Sequence, residues 1–110
     1  MAIENVENEE KLEMILKSDL AIIFKHSKIC PVSGIALEEM QIFAGKHPDI
    51  PVYLVDVLAH RPLSQKTSAY YGIRHESPQV IIIQSGAAGW NASHYAITAA
   101  KVAAALPPSP

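Results

Sequence analysis

Two short apolar runs, residues 20–26 and 52–57, flank a single segment with helical spacing, and this arrangement constrains the fold more than any other feature of the chain. The first run, Leu20-Ala21-Ile22-Ile23-Phe24, is rich in isoleucine and bounded by Ser18-Asp19 on one side and a polar turn on the other. It reads as a strand buried on both faces. The segment between the runs begins at Pro31, carries Ile35, Ala36, Leu37, Met40 and Phe43 as a buried stripe, and is stopped by Gly45 and Pro48. Strand, helix and strand in that order fold as a right-handed parallel crossover. The first run is then the central strand.

Around this unit the remaining elements follow. Residues 3–16 place Val6, Leu12, Ile15 and Leu16 near a helical period with acidic residues among them, which predicts one amphipathic helix. A third helix is expected over 62–71 with Gly72 at its C-terminal cap. Residues 79–84 read as a third strand, Ser85-Gly86 as a turn and 89–94 as a fourth strand. Thr98 caps a last alanine-rich helix that ends at Leu106. The proline-rich tail, 107–110, is expected to be disordered. The chain is therefore α/β, a central four-stranded mixed sheet flanked by helices, forming one domain over residues 1–106. This element order is that of the thioredoxin fold.

Composition narrows the function. A chain of 110 residues with 49% hydrophobic side chains fits one globular domain. Nine basic residues against eleven acidic ones leave a net charge of -2, with no excess of cations to neutralise a nucleic-acid backbone. No apolar run approaches the roughly 20 residues that cross a bilayer, so no membrane span is expected. The acidic first ten residues lack the basic flank and apolar stretch of a secretory signal, which points to the cytoplasm. One cysteine permits neither an intramolecular disulfide nor a cysteine-based metal cluster. The five histidines show no ligand spacing, so no metal is expected, and without a phosphate-cradling glycine loop or a dinucleotide fingerprint no bound cofactor is expected either.

That cysteine, Cys30, follows the polar turn His26-Ser27-Lys28 and precedes the helix-starting Pro31, so it is placed at a helix N-cap. A lone cysteine is commonly a core residue, but a core cysteine sits inside an apolar periodic run. Only the thiolate is nucleophilic, and the unpaired N–H groups and positive dipole end of a helix N-terminus favour it. Ser33, one turn up the helix, is expected to donate to the sulfur through its hydroxyl or its backbone N–H. Lys25, His26 and Lys28 add positive charge nearby. Ser77-Pro78 lies immediately before the third strand, where a proline marks a boundary because it cannot donate to a ladder. His75 and Glu76 in the same loop, Lys28, and His94 at the end of the fourth strand are candidate contacts for a substrate or for the thiolate. Trp90 reads as a packing residue.

The segments Phe24-Lys25-His26-Ser27, Cys30-Pro31-Val32-Ser33, His75-Glu76-Ser77-Pro78-Gln79 and Trp90-Asn91-Ala92-Ser93-His94 together resemble the monothiol bacilliredoxin family, over about residues 20–106. Two positions depart from the family pattern. Ile29 stands where a threonine is usual, and Gly86-Ala87-Ala88-Gly89 replaces a more β-prone stretch. The resemblance implies a thioredoxin-like fold, a cis Ser77-Pro78 bond facing Cys30, and a disulfide oxidoreductase acting in the bacillithiol system. Cys30 would attack the mixed disulfide, with Pro31, Ser33, Ser77 and Pro78 supporting the site. Its partners would be S-thiolated proteins and a small thiol, bacillithiol or an equivalent, as co-substrate. A single thiol cannot resolve itself, since a hydroxyl such as that of Ser33 does not exchange with a disulfide. The alternative is a non-catalytic thioredoxin-like module that binds a ligand or senses oxidant by S-thiolation at Cys30. A peroxidase role is disfavoured by Ile29.

Overall fold

The computed structural model describes residues 3–108. Leu20–His26 forms strand β2, Pro31–Lys46 helix α2 and Val52–Asp56 strand β3, with Ile22 opposite Val52 in a parallel ladder. Gln79–Gln84 forms β4, antiparallel to β2, and Ala87–Ser93 forms β5 beside it. Strand β2 is indeed the centre of the sheet.

Residues 3–16 are not one helix. Ile3–Asn5 is an edge strand, β1, parallel to β3 with Ile3 opposite Val52, and the helix α1 occupies Glu9–Leu16. Val6, which mimics the helical phase in sequence, is buried by the sheet, and its N–H donates to the Leu54 carbonyl at 2.9 Å. Asn8 starts the helix by accepting the Lys11 N–H at 2.8 Å, the usual role of asparagine at an N-cap. The sheet therefore has five strands rather than four, in the order β1-β3-β2-β4-β5.

Helix α3 runs over Arg61–Tyr71 and ends on Gly72 in the left-handed conformation (φ 66°). The turn between β4 and β5 has positive φ at both Ser85 (51°) and Gly86 (75°), the signature of the tight turn that matches strand twist. Strand β5 consequently starts at Ala87, two residues earlier than its sequence suggests. Gly89 is the extra residue of a bulge, since Ile82 faces Trp90 while Ile83 faces Ala88. A single 3-10 turn, His94–Ala96, leads to α4 at Ala99–Ala104, whose N-terminus Thr98 caps by accepting the Lys101 N–H. Leu106 lies beyond this helix. Of the expected disordered tail, Pro107 and Pro108 have no regular structure and line a surface cavity with Leu20 and Pro48, while Ser109 and Pro110 lie outside the described residues.

The sheet is apolar on both faces, which is why its strands read as continuous hydrophobic runs. Ile22, Phe24, Val80 and Ile82 pack against α2 and α4 through Met40, Phe43 and Val102. Ala21, Ile23, Ile81 and Ile83 pack against α1 and α3 through Leu12, Leu16 and Leu63. Trp90 packs on the first of these layers. Among the described residues no helix is long and apolar enough to cross a membrane.

Candidate functional site

The site sits where β2 ends and β4 begins. Lys25 of β2 is in register with Gln79 of β4, so the turn after His26 and the loop before Gln79 emerge from the same end of the sheet. Cys30 in that turn is the N-cap of α2, with extended backbone (φ -100°, ψ 119°) and Pro31 as the first helical residue. Its side chain is partly exposed and makes no capping hydrogen bond. Cys30 thus stands, partly exposed, at the positive end of a 16-residue helix. Ile29, the preceding residue, is 78% exposed. The Ser77–Pro78 bond, in the loop that leads into β4, is cis.

The Ser33 hydroxyl does not have the role its spacing suggests. Its side chain is fully buried, its Oγ lies 2.7 Å from His26 Nδ1, and it accepts the Ser27 N–H at 2.9 Å. The hydroxyl is committed to the turn beneath Cys30 and not to the sulfur. It fastens the first turn of α2 to the end of β2, which fixes where Cys30 projects.

The three expected cations are likewise redistributed. Burial pushes the His26 pKa down, an effect that the Asp56 carboxylate opposes only in part, so this imidazole is neutral at neutral pH. Lys28 reaches Asp56 at 3.5 Å. Lys25 has the phase of Ala21 and Ile23, so it points into the α3 side of the sheet, where it is completely buried. There its Nζ donates to Ser68 Oγ at 2.6 Å and lies 3.1 Å from His75 Nδ1.

The loop before β4 is tied on both sides. His75 is held from within by Lys25, and burial together with that cation lowers its pKa. Glu76 bonds His94 Nε2 at 3.1 Å and lies 3.7 Å from Arg74, and the His94 hydrogen bond is the main reason its pKa is lowered. His94 adopts positive φ (55°), an uncommon conformation for a residue with a side chain, and its N–H donates to the Pro78 carbonyl at 3.1 Å. His75, Glu76, Ser77, Pro78 and His94 are therefore one connected unit.

Asp56 and Ser68 are participants that sequence reading passed over. Asp56 ends β3, opposite His26, and accepts the Leu58 and Ala59 N–H groups, which hold its pKa low. Its signal was position: a carboxylate at the C-terminal end of a parallel strand lies at the usual functional edge of such sheets. With His26, Lys28, Leu54 and His60 it lines a cavity of about 380 Å³ on the β3 side of the turn. Among the described residues no three His, Cys, Asp or Glu side chains converge as metal ligands would.

The family model for "Monothiol bacilliredoxin BrxC" matches residues 2–102. The chain belongs to the monothiol bacilliredoxin family. As a bacilliredoxin family member it is a thiol–disulfide oxidoreductase, and its lone Cys30 is consistent with the monothiol designation. Among solved structures, one described as having a thioredoxin fold is 26% identical, the match covering 94% of this chain and 93% of that one, and superimposes with a TM-score of 0.88. Thioredoxins from Trypanosoma brucei brucei (16% identity, 94% and 86% coverage, TM-score 0.78) and Plasmodium falciparum (11%, 93% and 92%, TM-score 0.73) share the fold. The bacilliredoxin sheet described above is thus a thioredoxin fold with its edge strand β1 in place.

Proposed function

We propose that this protein removes a low-molecular-weight thiol, bacillithiol, from protein mixed disulfides in the cytoplasm, using the Cys30 thiolate as its only nucleophile. The observation that carries the reading is a partly exposed cysteine at a helix N-cap, at the same sheet end as Pro78, in a chain whose Ser33 hydroxyl is sealed beneath it. The thiolate attacks the bacillithiol sulfur, the mixed disulfide breaks, and its electron pair leaves on the protein sulfur, which takes up a proton. Cys30 is left joined to bacillithiol. A second small thiolate then attacks the bacillithiol sulfur and releases Cys30, the outgoing small-molecule disulfide carrying the oxidation away. In a host without bacillithiol, glutathione or another small thiol takes its place.

The deciding experiment incubates the protein with a bacillithiolated substrate protein and follows both by intact mass. A bacillithiol adduct on Cys30 together with restored substrate supports the reading, and an unchanged substrate with no adduct excludes it. Restoration no faster than that given by free thiol at the same pH would instead mark a binding or sensing module.

A further inference from the structure

A fully buried ammonium group normally finds a carboxylate, because desolvating an unpaired charge is costly. Lys25 is 0% exposed, and none of the ion pairs among the described residues includes it. Its two polar contacts are the neutral Ser68 hydroxyl on α3 and Nδ1 of His75, in the loop that leads into Pro78. Burial lowers its pKa to about 8, so the ammonium form still dominates at pH 7. An ammonium nitrogen only donates. His75 Nδ1 at 3.1 Å must then accept, and a neutral imidazole whose Nδ1 accepts carries its proton on Nε2.

We propose that Lys25 is a positioning residue for thiol exchange: its buried ammonium holds the His75 ring in the Nε2–H form and anchors it to α3 beside the Pro78 loop. His75 is then an uncharged donor on the surface of the sheet end that holds Cys30. In the exchange reaction the electron pair of the broken disulfide collects on the departing sulfur, and the Nε2–H supplies a hydrogen bond to that anion. The loop gains its donor from a residue that never meets the substrate. This role rests on the disulfide-exchange reading, but the tautomer itself does not.

The test is therefore made first without substrate. In the 15N-labelled full-length protein at pH 7, ring nitrogen shifts should show His75 protonated at Nε2 and bare at Nδ1. In Lys25→Met both tautomers should appear, and the His75 titration midpoint should move upward because the neighbouring cation is gone. A wild-type ring protonated at Nδ1, or a ring indifferent to Lys25→Met, overturns the proposal whatever the enzyme's substrate is. If Lys25→Met fails to fold, the wild-type tautomer still decides the matter, and Ser68→Ala, which frees one end of the bridge, replaces it. With a mixed-disulfide substrate, Lys25→Met should lower kcat about tenfold with KM for the small thiol unchanged, the scale of one hydrogen bond to a charged acceptor. His75→Gln, whose amide N–H occupies the Nε2 position, should keep most of the rate and lose its dependence on Lys25. A loss in His75→Gln as large as in His75→Ala overturns the donor role.

Discussion

Ser33 Oγ lies 2.7 Å from His26 Nδ1, and this buried contact clasps the first turn of the Cys30 helix to the end of the central strand. Ser33→Ala leaves the Ser27 N–H without its acceptor inside the protein. The expected cost is about 1–3 kcal/mol, the penalty of a buried unsatisfied donor, read as a lower denaturant midpoint. Exchange should continue at a reduced rate, because the nucleophile remains while the contact that fixes its projection is lost.

Cys30→Ser separates chemistry from stability. Cys30 makes no side-chain capping hydrogen bond and is a partly exposed residue. Unfolding free energy should change by no more than about 0.5 kcal/mol, as for substitutions away from packed or bonded positions. Thiol exchange should fall to the uncatalysed rate in a mass-spectrometric assay.

The buried Lys25 makes stability rise on the alkaline side. Its pKa is about 8 in the folded protein against 10.5 when exposed, so between those values the unfolded chain binds more protons than the folded one. Stability contributed by this group therefore increases with pH across that window. Lys25→Met, which has no charge to desolvate, should be the more stable protein at pH 7, with an advantage that shrinks toward pH 10. Equal pH slopes for the two proteins in urea titrations would contradict the assignment.

Acid acts through the histidines first. Burial lowers the pKa of both His26 and His75 below the ordinary 6.5, so the unfolded chain takes up their protons before the folded one does. Stability should decline as pH falls from about 6.5, and His26→Gln should flatten that limb. A second decline belongs to Asp56, whose pKa is held down chiefly by the Ala59 N–H, and begins only as pH falls toward 3.8.

Two glycines should respond in opposite directions. A Cβ at Gly34, inside α2, meets nothing within 4 Å, so Gly34→Ala should stabilise by about 0.5–1 kcal/mol through backbone entropy. Gly86 has φ 75° in the β4–β5 turn, and Gly86→Ala should destabilise by about 1 kcal/mol because a side chain is strained there. Thermal melts check both.

The parts of the fold that showed in the sequence are those whose pattern repeats over several residues. Leu20–Phe24 and Val80–Ile83 are uninterrupted apolar runs, and the α2 stripe recurs at Ala36, Met40 and Phe43, although Ile35, expected in that stripe, is exposed on the helix's outer face. β1 was hidden because three residues cannot display a period and an edge strand is bonded on one side only. Asn8, a good N-cap residue followed by two glutamates, was the overlooked sign that the first helix starts late. At the site, Cys30 and Pro31 were legible from local order alone. The destinations of Ser33 and Lys25 were not, because the first depends on His26 seven residues away and the second on Ser68 and His75 across the fold. The alternation of Lys25 with Ala21 and Ile23 nonetheless marks it as facing inward.

The strand order β1-β3-β2-β4-β5 puts both strands that carry the site, β2 and β4, between hydrogen-bonded neighbours. Fraying begins at edges, so β1 and the β5 margin are where amide protons should exchange with solvent soonest. The backbone beneath Cys30 and Pro78 opens only when most of the sheet does. Reactivity at the surface is in this way mounted on the most slowly exchanging layer of the molecule.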